Sequence, residues 1–168
     1  MAYGGPFNPY REKMTIVFPG TWGATNWHGG SFDPVLGYLF FNTLDLADVG
    51  KLSKAGPESK MAYSKGGFAR FWNPNNFWPC QKPPWGEMVA INVNTGEYAW
   101  RVPFGIVPEL EAKGVHNTGA LNMGGSATSA TGLVFMARQM TVISGPLTAN
   151  RERFSGILSS RQEPMRRP

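Results

Sequence analysis

The sequence predicts an all-β chain, and three observations carry that expectation. Gly 21 and Pro 14 are high for 168 residues, aromatics reach 13%, and the apolar runs are short and β-branched, separated by turn residues. The charged share of 16% lies well under the usual value of about 25%. With 42% hydrophobic residues, the chain can bury a core of its own, so full disorder is excluded.

The elements follow in order. Thr15-Ile-Val-Phe18 is a short strand closed by Pro19-Gly20, and Gly37-Tyr-Leu-Phe-Phe-Asn42 is a second strand after the turn at Asp33-Pro34. Asp45 to Gly67 is mixed and polar, with the composition of a surface loop leaving a scaffold. Trp85-Gly-Glu-Met-Val-Ala-Ile91 and Glu97-Tyr-Ala-Trp-Arg-Val102, joined through Asn94-Thr95-Gly96, form the clearest local element, a hairpin. Pro108 to Lys113 suits one or two helical turns ending at Gly114, and Gly132-Leu-Val-Phe-Met136 is a further strand.

A repeat suggests how the strands are organised. Gly29-Gly30-Ser31 leads into Gly37-Tyr-Leu-Phe-Phe41, and at equal spacing Gly124-Gly125-Ser126 leads into Gly132-Leu-Val-Phe-Met136; an Asn precedes each copy, Asn26 and Asn122. The offset from Ser31 to Ser126 equals about two blades of a β-propeller, each of roughly 40 to 50 residues and four strands.

The net charge of +5 is unevenly spread: Met1 to Ala137 carries 10 Lys+Arg against 9 Asp+Glu, and the remainder 6 Arg against 2 Glu. The main part is too near neutral for a nucleic-acid surface, even around the aromatic and basic Phe68-Ala-Arg-Phe-Trp72. No apolar run is long enough to span a membrane, and the first residues lack the pattern of a signal peptide. The lone Cys80 excludes an intrachain disulfide and reads as a small buried hydrophobe. His28 and His116 have no Cys to complete a zinc site, and Glu109 and Glu111 read as a solvated face.

After Ala137 the pattern breaks, and the adjacent reading frame accounts for the break. Taking the last base of each codon with the first two of the next, Met140-Thr141 must encode Asp. Allowed codons from there spell A-N-D-G-H-F-R-A-F-D-S-K-S-G-A-V-L-W, a strand, a turn and a strand. Its Asp, Gly and Trp are spaced as Asn92, Gly96 and Trp100 are in the in-frame hairpin. The expectation is a single-base deletion near Ala137 to Arg138, giving a propeller segment over 1-137 and a frameshifted, poorly ordered tail over 138-168.

Ala90-Ile-Asn-Val-Asn-Thr-Gly-Glu-Tyr-Ala-Trp100 resembles the tryptophan-docking motif A-x-D-x-x-T-G-x-x-x-W of the pyrroloquinoline quinone (PQQ) dependent dehydrogenases, with Asn92 in place of the usual Asp. Phe18-Pro-Gly-Thr-Trp-Gly-Ala-Thr-Asn-Trp27, Ser31-Phe-Asp-Pro34, Pro84-Trp-Gly86 and Asn122-Met-Gly-Gly125 are similar to segments from the later part of the glucose and alcohol dehydrogenase branch. The resemblance runs from about Phe18 to Ala137. It implies a partial β-propeller, two to three blades of an eight-bladed quinoprotein ring that carries PQQ and calcium. It also implies work in the periplasm, oxidation of an alcohol or sugar, and electron transfer to a quinone or cytochrome.

By resemblance, Asn26 and Trp27 match the segment that reaches the cofactor, Asn122 and Met123 stand in the corresponding second segment, and Met123 replaces a Trp of alcohol-oxidising relatives. An amide both donates and accepts, which suits quinone oxygens, although Asn26 reads equally as a residue capping its own turn. Trp85, Trp100 and Thr95-Gly96 read as scaffold. The family's catalytic Asp and calcium ligands belong to earlier blades, so this chain supplies no catalytic residue and no metal ligand, needs the missing blades, and is expected to be inactive alone. A cofactor-free propeller-like or β-sandwich module binding carbohydrate or protein is the alternative.

Overall fold

The computed structural model describes residues 1–25 and 29–136, and the backbone of Gly156–Ser159. The expectations for Asn26, Trp27, His28 and the rest of the tail after Met136 lie outside the described residues. The elements are β1 (Thr15–Val17), β2 (Ala24–Thr25), β3 (Ser31–Asp33), β4 (Tyr38–Leu44), β5 (Asp48–Lys54), β6 (Tyr63–Arg70), β7 (Gly86–Asn92), β8 (Tyr98–Pro103), α1 (Pro108–Glu111), β9 (Ser126–Thr128), β10 (Leu133–Met136) and β11 (Gly156–Ser159). Strand takes 40% of the described residues and helix 3%, which bears out the all-β expectation and fits a partial propeller.

The chain divides into two compact units. One comprises Met1–Ala24 and Asp45–Lys82 and is built on the antiparallel order β1-β5-β6. Asp48 anchors it: the carboxylate is 2% exposed and accepts the Thr21 backbone N–H at 2.7 Å. The expected surface loop at Asp45 to Gly67 is therefore corrected. Asp48–Lys54 and Tyr63–Arg70 pair with each other, with a register shift between Val49 and Lys51, and β5 also pairs with β1. Neither strand alternates: β5 is buried over Asp48–Gly50 and β6 lies largely exposed, so their pairing is decided by backbone bonding to distant residues rather than by a local pattern. Cys80 is a second correction, since it is exposed; its N–H closes a turn onto the Phe71 carbonyl, and that turn keeps the side chain at the surface.

The other unit contains two sheets. Strands β3, β4, β7 and β8 follow one another as an antiparallel meander within a five-stranded sheet in which β2 also borders β4, and β9, β10 and β11 form the second sheet. The repeat motifs open the two sheets at β3 and β9. Asp45–Lys82 belongs to the other unit, so the Ser31 to Ser126 offset is one blade plus an insertion, where a count along the chain suggests two blades.

The core lies between the sheets. Phe40, Met88, Ala90, Trp100, Phe104, Val134 and Met136 are buried together, with Tyr38, Ala99 and Val102 packed against them. Trp100 lies 5.7 Å from Phe40 between ring centroids. On β10 the period-2 pattern puts Val134 and Met136 inside and leaves Leu133 and Phe135 exposed.

The hairpin turn explains why Asn92 is tolerated. Its Oδ1 accepts the Asn94 N–H at 3.0 Å, its carbonyl accepts the Gly96 N–H at 2.8 Å, and Gly96 holds φ 76, a region that glycine enters without a Cβ clash. The turn uses only the acceptor oxygen, which Asp also has. Asn92→Asp is expected to shift stability by no more than about 0.5 kcal/mol, read from the urea midpoint. A larger change would mean that the amide N–H₂ matters.

Candidate functional site

Of the four residues proposed to meet the cofactor, Asn122 and Met123 are described. They follow a buried stretch, Thr118 to Leu121, that runs beside β7 and the end of β8. Trp85 N–H donates to the Thr118 carbonyl at 2.7 Å, and Ala120 N–H donates to the Phe104 carbonyl at 2.8 Å. Gly86 and Gly119 let the two backbones touch: a Cβ on Gly86 would stand 2.1 Å from the Ala120 carbonyl oxygen. Asn42 of β4, 3% exposed, donates from Nδ2 to the Asn122 carbonyl.

Asn122 is 2% exposed, and its Oδ1 accepts the Gly124 N–H at 2.9 Å. That oxygen shapes the turn into β9, the capping use of a short amide. Met123 is half-buried and is the member of the pair with accessible side-chain surface. Thr118 to Ser126 carries no ionisable side chain, so this wall can act by hydrogen bonding and apolar contact, not by ion pairing.

The structure also joins the beginnings of the two sheets. Thr128 Oγ1 donates to Ser31 Oγ at 2.7 Å, Ser31 Oγ donates to Ser126 Oγ at 2.9 Å, and Ser126 Oγ donates to the Phe40 carbonyl at 2.9 Å. The repeat-related serines are thus bonded to each other. Sequence reasoning found the Gly-Gly-Ser repeat but not this chain of hydroxyls, because the bond forms only when the sheets meet. In sequence, Asn26-Trp27 and Asn122-Met123 lead into those joined strands.

Of the residues expected to meet a flat quinone, Met123 is the half-buried one with accessible surface, while the Asn122 Oδ1 is already engaged by the Gly124 N–H. For calcium they do not fit, since among the described residues no group of three or more His, Cys, Asp or Glu converges. His116 is exposed and pairs with Glu111 at 2.6 Å. Trp85 and Trp100 are each 4% exposed, in keeping with a scaffold role.

An antiparallel meander, β3-β4-β7-β8, followed by the opening of a second antiparallel sheet at β9 fits the blade pattern of a β-propeller. The family model "PQQ: Glucose/ethanol/alcohol dehydrogenase, beta-propeller domain" matches residues 1–143, and the chain belongs to that family. It is 31% identical over 161 residues to the quinate/shikimate dehydrogenase (quinone) of Acinetobacter baylyi, covering 82% of this chain and 20% of that protein. It is 28% identical over 162 residues to the quinoprotein glucose dehydrogenase of Escherichia coli, covering 82% and 20%. It is 28% identical over 167 residues to the glycerol dehydrogenase large subunit of Gluconobacter oxydans, covering 80% and 22%. The chain spans about a fifth of the length of these relatives.

Proposed function

We propose that this chain is a late segment of the propeller of a PQQ-dependent dehydrogenase that oxidises an alcohol or sugar in the periplasm and passes electrons to a quinone or cytochrome. The observation that carries the reading is the hydroxyl chain joining β3 to β9, which brings together the strands entered from Asn26-Trp27 and Asn122-Met123. Bound PQQ would supply the two-electron acceptor. This chain's part is to build one wall: Asn42 and Asn122 hold the turn, and Met123 offers it an apolar face.

Calcium and the catalytic carboxylate come from the missing blades in this reading, so the chain alone is inactive. The substrate class is drawn from relatives named for quinate/shikimate, glucose and glycerol. The break after Ala137 is a frameshift, a reading supported by the family match ending at residue 143 and by the hairpin spelled in the adjacent frame.

The test is to sequence the coding DNA across Ala137 to Arg138 and express the joined frame. The expected result is codons for F-R-A-F-D downstream and a product that reduces a redox dye with quinate, glucose or glycerol only when PQQ and calcium are added. Absence of those codons, or a joined product without PQQ-dependent dye reduction, overturns the proposal. Stoichiometric glycan binding without PQQ would favour the cofactor-free module.

A further inference from the structure

The unit of Met1–Ala24 and Asp45–Lys82 carries eight Lys+Arg against four Asp+Glu, while the remainder of the chain through Ala137 carries two against five. Near neutrality along the sequence therefore conceals a basic unit. Its acids are also poorly placed to offset the cations, since Asp48 is buried and Asp45 half-buried, whereas Lys51, Lys54, Lys60 and Lys65 are all exposed.

The pairing of β5 with β6 sorts these lysines by face. Lys54 stands opposite Tyr63 and Leu52 opposite Lys65, so with a period of two those four residues share one face of the hairpin. Lys51 and Ser53, opposite Gly66 and Ser64, occupy the other. Phe68 joins the first face: Lys65 Nζ lies 5.4 Å from its ring centroid, and the ring meets Tyr10 edge to face at 5.6 Å. Of the unit's exposed acids, Glu12 accepts the Tyr63 hydroxyl at 2.9 Å, and Glu58 stands in the loop at the hairpin tip. Beside it in that loop Met61 is 71% exposed, and Tyr63 and Phe68 are exposed as well.

We propose that this face of the β5–β6 hairpin is a docking surface for an anionic lipid bilayer, the lysines meeting lipid phosphates while Met61, Tyr63 and Phe68 enter the headgroup layer. Anionic lipid complements the unit's excess of positive charge. Lipid is favoured over an acidic protein because the cations paired into this face, Lys54 and Lys65, are lysines, which protein interfaces deplete while enriching arginine. A lysine beside exposed aromatic rings suits a bilayer surface, since its stem lies on apolar matter and its ammonium stays among the headgroups. The surface is independent of the quinone reading and stands or falls without it.

The test is flotation of the full chain with vesicles of phosphatidylcholine containing phosphatidylglycerol, against vesicles of phosphatidylcholine alone. Binding is expected only with the anionic lipid, weakening as salt rises. Lys54→Gln combined with Lys65→Gln is expected to lower the partition constant about 25-fold, or about fivefold per lysine, and Met61→Ser a few-fold, each with an unchanged far-UV CD spectrum. Lys51→Gln, an equal loss of charge on the opposite face, is expected to change it by less than about twofold. The arginines after Ala137 are common to every variant, so the ratios read this face alone. No binding to the anionic vesicles, equal binding to neutral ones, or a loss with Lys51→Gln as large as with Lys54→Gln overturns the proposal. Dependence on Lys54 and Lys65 without dependence on Met61 would assign the face to a soluble acidic partner and overturns it too.

Discussion

Trp100→Ala lowers the unfolding free energy by about 3 to 5 kcal/mol, the range for deleting a large aromatic from a packed core. The indole is 4% exposed, lies opposite Ala90 across the β7–β8 pair, and packs with Phe40, Met88, Val134 and Met136 where the two sheets meet. Alanine would leave a void lined on both sides, and the surrounding strands cannot collapse into it without breaking their register. Against a total stability of about 5 to 15 kcal/mol for a domain, this is a large share. Urea unfolding followed by near-UV CD measures it. Tyr98→Ala on the same strand, at a residue 61% exposed, should stay within about 0.5 kcal/mol. A loss below about 1 kcal/mol for Trp100→Ala would mean that the sheets do not pack as described.

Gly119→Ala is the second large effect, expected to cost about 2 to 5 kcal/mol by combining two penalties. Gly119 holds φ 61, a left-handed conformation that costs a side-chain-bearing residue roughly 1 to 2 kcal/mol. Its Cβ would also stand 2.2 Å from the Gly86 carbonyl oxygen, an overpacking conflict worth roughly 1 to 3 kcal/mol. The colliding atom belongs to the backbone, so no rotamer change relieves it. Gly86→Ala disturbs the same close approach of the two backbones through a different atom, Ala120 O at 2.1 Å. The double variant should cost less than the sum of the two singles, because one separation of the two backbones relieves both clashes. Full additivity in thermal or urea unfolding would count against this close approach.

The same loop bears on the redox reading. Displacing Thr118 to Leu121 from β7 moves the turn at Asn122 and the Met123 surface behind it, so a Gly119 variant should perturb whatever lies against Met123 as well as the fold.

Much of this was legible along the chain. The hairpin from Gly86 to Pro103 announces itself by two apolar runs either side of Asn94-Thr95-Gly96; the strands at Thr15, Tyr38 and Leu133 and the turn of helix at Pro108 announce themselves by apolar and β-branched runs and by Pro and Gly. The motif around Trp100 resembles the family's docking motif, and the Gly-Gly-Ser repeat marks two equivalent strand entries. The site was legible in its segments but not in its bonding. Asn122 could be singled out as an amide, yet nothing local says that its oxygen closes onto Gly124 or that its carbonyl takes a bond from Asn42, far away on β4.

The sequence by itself determined the strand content, the principal turns and the family, since each depends on side-chain periodicity or on backbone conformations that few residues allow. Only the tertiary structure decided that Asp45–Lys82 forms strands in one unit with Met1–Ala24, that the repeat therefore spans one blade and an insertion, that Ser31 bonds to Ser126, and that Arg70 rests on Trp22 beside a buried Asp48. Those outcomes depend on hydrogen bonds and ring contacts between residues distant along the chain. Such partners compete on nearly equal local terms until packing selects one arrangement.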